Sequence, residues 1–318
     1  MAVCAIFNGL SNATNDHTPE EADLVWRLIL ILGAIPAGLT YYWRIMMPET
    51  ARYTALVEQN IRKAVKDMEK VFEIPMDQMI QDLKGLPSTQ SYPLFSMQFL
   101  RHHGINLCAC AMSWFLVDVV YYSSNLFQSH IYKRLLPDPR EVNAYQEAYE
   151  VAKLQAIIAI CSTIPGYWAT VFLMDHVGRV KIQALGFFFM ATCLLAIGLP
   201  YATYWNTHSG FGFIFLYGLT FCFSNFGPNT TTFIVPAELF PARFRSTSHG
   251  ISGAVGKVGA IVGAVGFLWA SDCKGDAKEM EMTASLVTLA LVCILGMLLT
   301  LSFTPETMGR SLEENEKE

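Results

Sequence analysis

Four stretches of this chain run for the length of a membrane-crossing helix without a single charged side chain: 154–174, 182–210, 211–237 and 282–305. A hydrocarbon core ~30 Å thick is crossed by ~20 helical residues. Inside it every backbone N–H and C=O must be paired within the segment, which leaves the α-helix as the form available to a single run. Three further stretches reach that length with a blemish each: 24–47 with Arg27 and Arg44 near its ends, 105–126 with Asp118, and 250–270 with Lys257. Seven spanning helices are therefore predicted, in an all-α polytopic membrane bundle. Composition agrees, since 53% of residues are hydrophobic and only 15% charged, outside the range of an ordinary soluble domain.

The polar segments divide the chain. The apolar start "MAVCAIFNGL" lacks a basic n-region and a small-residue cleavage site, so residues 1–10 read as the stub of an earlier helix and not as a secretory signal. Residues 24–47 form one helix of a first half, and 48–103 a loop with an amphipathic helix in "EQNIRKAVKDMEKVFEI". A six-helix bundle over 104–305 and a tail over 306–318 complete the expected order. Arg179, Lys181, Arg243 and Arg245 in two short links put those links, the long loop and the tail on the cytoplasmic side. The presumed outer segments 125–150 and 272–282 weaken that signal with three and two basic residues. The cysteines sit mostly within apolar runs with no C-x-x-C spacing, and read as core residues without a metal. A net charge of -5 with no basic stripe argues against a nucleic-acid partner.

"SWFLVDVVYYSSNLFQ" places a carboxylate, Asp118, at the centre of a span, where insertion scales put its cost at roughly 2.5–3.5 kcal/mol. Trp114 and Tyr122 lie four residues to either side, on the same helix face. An indole and a phenol donate to the oxygens of a tetrahedral oxyanion; a carboxylate accepts from its hydroxyl, or donates when protonated. Burial favours the protonated form, and an ionised Asp118 repels an anion, so a proton arriving first makes the site habitable for phosphate. The other reading is an Asp satisfied by a neighbouring Ser or Tyr in a packing role.

Three other motifs carry chemistry. In "SNFGPNTTTF", Gly227 and Pro228 interrupt the backbone ladder beside Asn229, whose amide offers two donors to an anion; Asn225 is the alternative donor. Lys257 in "GAVGKVGAIVGA" balances phosphate or Asp118, or else snorkels to the cytoplasmic interface, and the small residues around it favour close helix packing. "MPETARYTALVEQN" and "TPETMGRSLEENE" each follow a spanning helix, an echo expected of a duplicated six-helix unit.

"DHVGRVK" and "PAELFPARFRS" resemble the cytoplasmic signatures of the major facilitator superfamily. The resemblance implies that Asp175, Arg179, Glu238, Arg243 and Arg245 form charge networks that gate the cytoplasmic side. Within that superfamily, "DLVWRLILILGAIPAGLTYYWRIMMPETARYTALV", "WFLVDVVYYSSNLFQ", "CSTIPGYWATV", "NFGPNTTTFIVPAELFPARFRSTSHGISGAVGKVGAIVGA" and "PETMGRSLEE" are similar to the plant and fungal phosphate:proton symporters. What this resemblance implies is a secondary active carrier, not an enzyme, in the plasma membrane, of the high-affinity type. It takes inorganic phosphate and protons by alternating access within the lipid bilayer and needs no cofactor. Trp114, Asp118, Tyr122 and Asn229 are then substrate ligands, with Asp118 and Lys257 in proton coupling. The family has twelve helices, so the resemblance also implies that the first five are missing and that the chain works with an N-terminal half or as a homo-oligomer. A sugar-porter relative and a transport-dead half that associates with other subunits are the competing expectations.

Overall fold

The computed structural model describes residues 1–10, 20–72, 92–94, 96–135, 143–205, 211–271 and 276–312. Parts of the expected loop (73–91 and 95), of the presumed outer segments (136–142 and 272–275) and of the tail (313–318) lie outside the described residues. The described chain opens with α1 (Ala2–Leu10), α2 (Glu21–Met46), α3 (Ala51–Leu56) and α4 (Ile61–Phe72). Next come α5 (Met97–Leu135), α6 (Ala144–Ile158), a π-helical turn (Ala159–Thr163) and α7 (Ile164–Val177). The remainder is α8 (Arg179–Gly198), a second π-helical turn (Tyr201–Trp205), α9 (Phe211–Phe226), α10 (Pro228–Leu239), α11 (Ala242–Ser271) and α12 (Asp276–Phe303). Among the described residues, seven helical segments are long and apolar enough to cross a membrane, in register with the seven runs read from sequence.

The helices outrun the uncharged stretches where their ends are capped. α6 starts well before Leu154 because Asn143 and Gln146 form a reciprocal cap: the Asn143 side chain accepts from the Gln146 N–H at 3.0 Å, and the Gln146 side chain from the Asn143 N–H at 3.2 Å. The first turns can then carry Glu147, Glu150 and Lys153, with Lys153 and Glu150 paired at 3.1 Å. Pro165, one residue into α7, has no N–H to give the preceding turn, and the wider π-helical turn stands directly before it.

Packing centres on two pairs, α5 with α11 and α8 with α12, and α9 bridges α7 and α8. Val117, Val120, Phe127, Phe187, Leu194, Tyr217, Phe221 and Phe267 form one buried cluster between them. The α5–α11 pair is close because α11 presents glycine there. A Cβ at Gly259 would overlap the Phe115 carbonyl oxygen, and one at Gly263 the Val119 carbonyl oxygen. Ser123 Oγ donates to the Gly263 carbonyl at 2.8 Å across the same seam.

The first helices are peripheral. α1 docks on α6 through Cys4 and Tyr145, with Val25 of α2 in the same cluster, and Asn143 Nδ2 donates to Asn8 Oδ1 at 2.8 Å. α2 buries Val25 alone and leaves Leu30, Ile31, Leu39, Tyr41 and Trp43 exposed, an apolar surface suited to lipid. α4 is amphipathic: Ala64 and Val65 are buried, while Arg62, Lys63 and Lys66 are exposed.

Candidate functional site

The spacing in α5 stacks Trp114, Asp118 and Tyr122 one helical turn apart. α11 supplies what faces them. Asp118 is enclosed, its side chain 3% exposed, and its Oδ2 lies 3.3 Å from Lys257 Nζ. The same ammonium donates to Tyr122 Oη at 3.1 Å and sits 5.0 Å from the centre of the Tyr122 ring. Lys257 is 62% exposed, so the cation stands at the mouth of the site and the carboxylate behind it. Of the partners that sequence left open for Lys257, the structure pairs it with Asp118. The Trp114 indole lies on Gly253 and Gly256, and a Cβ at Gly256 would displace it; its ring is tilted against those of Phe233 and His249, 6.1 and 5.4 Å away between centroids.

Asn229 is set by the break between α9 and α10. At Gly227 the backbone takes φ -120° and ψ -112°, against Gly186 of α8, where a Cβ would overlap Gly227 and Pro228. The freed carbonyls are taken by hydroxyls, Thr170 Oγ1 donating to Phe226 and Thr230 Oγ1 to Asn225, each at 2.6 Å, while the Gly227 carbonyl enters the first turn of α10, accepting from the Thr230 and Thr231 N–H groups at 3.2 and 3.1 Å. Asn229 Nδ2 donates to Asn225 Oδ1 at 2.6 Å and to Tyr167 Oη at 2.9 Å. Asn225 is fully buried and itself donates to the Phe221 carbonyl at 2.7 Å, so it orients Asn229. Tyr167 was not singled out by sequence reasoning; a phenol in an apolar run carries no local sign of a partner 62 residues away. Tyr121 links the two groups, its ring 5.7 Å from Tyr122 and 5.6 Å from Phe221.

A second cluster occupies the helix ends. Arg179, at the start of α8, makes two parallel bonds to Glu238 at 3.0 and 2.9 Å and reaches Asp175 at 2.9 Å. The Glu306 carboxylate caps α8, accepting from the Arg179 and Val180 N–H groups at 2.9 and 3.1 Å and from those of Thr307 and Met308 at 3.0 Å. Gly178 makes this approach possible: its φ of 99° suits glycine, and a Cβ would press into the Glu306 carboxylate. Thr307 Oγ1 donates to Glu238 Oε2 at 2.5 Å and ties the two acidic residues together. The sequence signal for Glu306 was the P-E-T echo; in the first copy, Glu49 Oε1 accepts only locally, from the Thr50 N–H at 3.1 Å. The structure thus joins Asp175, Arg179 and Glu238. The contacts described for the other two arginines differ: Arg243 lies over the rings of Phe244 and Tyr92 at 5.2 and 6.0 Å, and Arg245 Nε donates to the Phe240 carbonyl at 3.1 Å.

Removal of this cap is measurable. Glu306→Ala strands the first N–H groups of α8, and the expected loss is about 2 kcal/mol, as for a charged N-cap. It is checked as a lowered unfolding temperature and faster trypsin cleavage at Arg179 and Lys181.

Three comparisons bear on this arrangement. The chain is 54% identical to "Probable inorganic phosphate transporter 1-9" of Arabidopsis thaliana, over 100% of its own length and 63% of that protein's. It is 56% identical to "Probable inorganic phosphate transporter 1-8" of Arabidopsis thaliana (99% and 62%) and 47% identical to "Low affinity inorganic phosphate transporter 1" of Petunia hybrida (95% and 58%). The chain spans between 58% and 63% of the length of these curated relatives. In fold it resembles the inward-open xylose transporter XylE of E. coli, with TM-score 0.59 and 17% identity over 99% of this chain and 61% of that one. A double tryptophan mutant of XylE gives TM-score 0.64 at 21% identity, over 92% and 59%. The model described as "Sugar (and other) transporter" matches residues 2–318, and on that match the chain belongs to this transporter family of the major facilitator superfamily.

Proposed function

We propose that this multi-pass membrane protein carries inorganic phosphate together with protons, by alternating access at the plasma membrane. One observation carries the reading: a carboxylate, an ammonium and a phenol meet within hydrogen-bond reach on two membrane-length helices. Lys257 is the shared element. While Asp118 is ionised, the lysine is held by it and the pair is neutral. A proton on Asp118 ends that attraction and leaves the ammonium to an incoming anion, with Tyr122 Oη, Trp114 Nε1 and the Asn229 amide as neighbouring donors. Phosphate and proton therefore bind together and leave together, which is symport. The names of the relatives support phosphate as the anion. The cluster of Asp175, Arg179, Glu238 and Glu306, with Arg243 and Arg245 beside it, serves as the gate on the cytoplasmic side, held while closed and released on opening.

The test is labelled phosphate uptake at pH 5 and pH 7, in cells lacking their own system, by a carrier in which this chain follows the first half of a curated relative. Asp118→Asn keeps a polar neutral group without an exchangeable proton, and uptake at pH 5 is expected to fall by about tenfold, or about 1.4 kcal/mol, with phosphate binding retained. Equal loss of binding and uptake, or of neither, would leave Asp118 a structural residue. The 318-residue chain assayed alone is expected not to accumulate phosphate, because alternating access rocks two bundles about a central site. Robust uptake by the chain alone would point to a complete carrier built from two copies, and uptake of a sugar in place of phosphate would reject the reading.

A further inference from the structure

His249 is the unexplained group beside the site. It lies on α11 two turns from Lys257, towards the end of the bundle that holds Arg179 and Glu238. Its ring stands edge-on between two aromatic rings, 4.7 Å from Phe233 and 5.4 Å from Trp114 between centroids. Its Nδ1 is enclosed and makes no hydrogen bond among the described residues. A buried polar nitrogen without a partner is uncommon and calls for an explanation such as an absent ligand. Trp114 is the floor of the Asp118 column and one wall of the His249 niche, so an anion passing the indole on the gate side comes next to Nδ1.

We infer that His249 and Trp114 form a second, inner station for phosphate, at which Nδ1 accepts the proton that the substrate carries. This rests on the phosphate reading above. Dihydrogen phosphate donates from one hydroxyl: the O–H bond breaks, an N–H bond forms on the imidazole, and monohydrogen phosphate remains beside the imidazolium. No oxidant or further reactant is involved. On the elements packed against α11, the titratable and charged side chains among the described residues are Arg101, His102, His103, Cys108, Cys110, Asp118, Tyr121 and Tyr122 of α5, Glu238 of α10, Cys293 of α12, and Arg52 and Tyr53 of α3; α11 itself adds Arg243, Arg245 and Lys257. Glu238 is held by Arg179 and Thr307, and Asp118 by Lys257, so each carboxylate already has a partner.

Trp114 reports the event, because a protonated imidazole quenches a neighbouring indole. The 318-residue chain in lipid nanodiscs is titrated from pH 8 to pH 5, with and without inorganic phosphate, while labelled phosphate binding is measured on the same sample. The expected result is a fall in emission that is absent from both His249→Gln and Trp114→Phe. At a fixed pH of 6, adding phosphate should deepen the fall about twofold, because dihydrogen phosphate brings the proton that Nδ1 accepts. Trp114→Phe leaves His249 in place, so the reporter is located even if His249→Gln fails to fold. Phosphate binding without any His249-dependent change overturns the inner station alone. Where the chain alone does not bind phosphate, the titration is read in the carrier completed with a relative's first half, and failure of that carrier to bind phosphate overturns the inference together with the phosphate reading.

Discussion

Gly259→Leu is expected to break the bundle apart at the seam that builds the site. The new side chain would start inside the Phe115 carbonyl oxygen, and a helix backbone cannot swing aside as a flexible side chain does. Overpacking of a tight core costs about 1–3 kcal/mol, and a backbone contact belongs at the upper end of that range. The unfolding temperature in nanodiscs should drop accordingly. Phosphate-dependent stabilisation should vanish, because separation of α5 from α11 also separates Asp118 from Lys257. Gly266→Leu on the same helix is the control: nothing lies within 4 Å of a Cβ there, and its stability should match that of the unmodified chain. Equal stability of Gly259→Leu and Gly266→Leu would mean that the seam does not hold the pair together.

Lys257→Met should be as damaging, for an electrostatic reason. It leaves the Asp118 carboxylate, 3% exposed, without its cation at the centre of a span, where a lone charge costs roughly 2.5–3.5 kcal/mol. Asp118→Asn in the same chain removes the stranded charge, so the double substitution should regain most of the lost stability while uptake stays absent. That pattern, stability rescued and transport not, separates a functional ion pair from one that only packs two helices. Additive losses in the double variant would show that the two residues act independently.

Much of the fold could be read from the sequence because hydrocarbon admits so few solutions. A run such as 282–305 has no other state in a membrane than a paired helix, and the helix is there. The site was legible along the chain and less so across it. Trp114, Asp118 and Tyr122 share a helix, so their register follows from the helical period alone. Lys257 is 139 residues from Asp118, and sequence left its partner open among three choices. Tyr167 and Glu306 were overlooked for the same reason: each acts on a residue far along the chain, through contacts that only the packing of α7, α9 and α12 creates. For Arg243 and Arg245 the family motif implied a place in the charge network, and the contacts described for them are the rings of Tyr92 and Phe244 and the Phe240 carbonyl, neighbours that no spacing in the motif announces.

The repaired break at Gly227 has a mechanical consequence. Hydroxyls from Thr170 and Thr230 fasten the loose carbonyls of Phe226 and Asn225, so the bend is held from both α7 and α10. Beyond it, α10 runs for 12 residues, about 18 Å at the helical rise, with Asn229 near one end, Glu238 near the other and Pro236 between them, where the backbone ladder lacks a donor. On the proposed function, α10 would tie the release of Glu238 from Arg179 to the position of Asn229, with Pro236 as the compliant point between them.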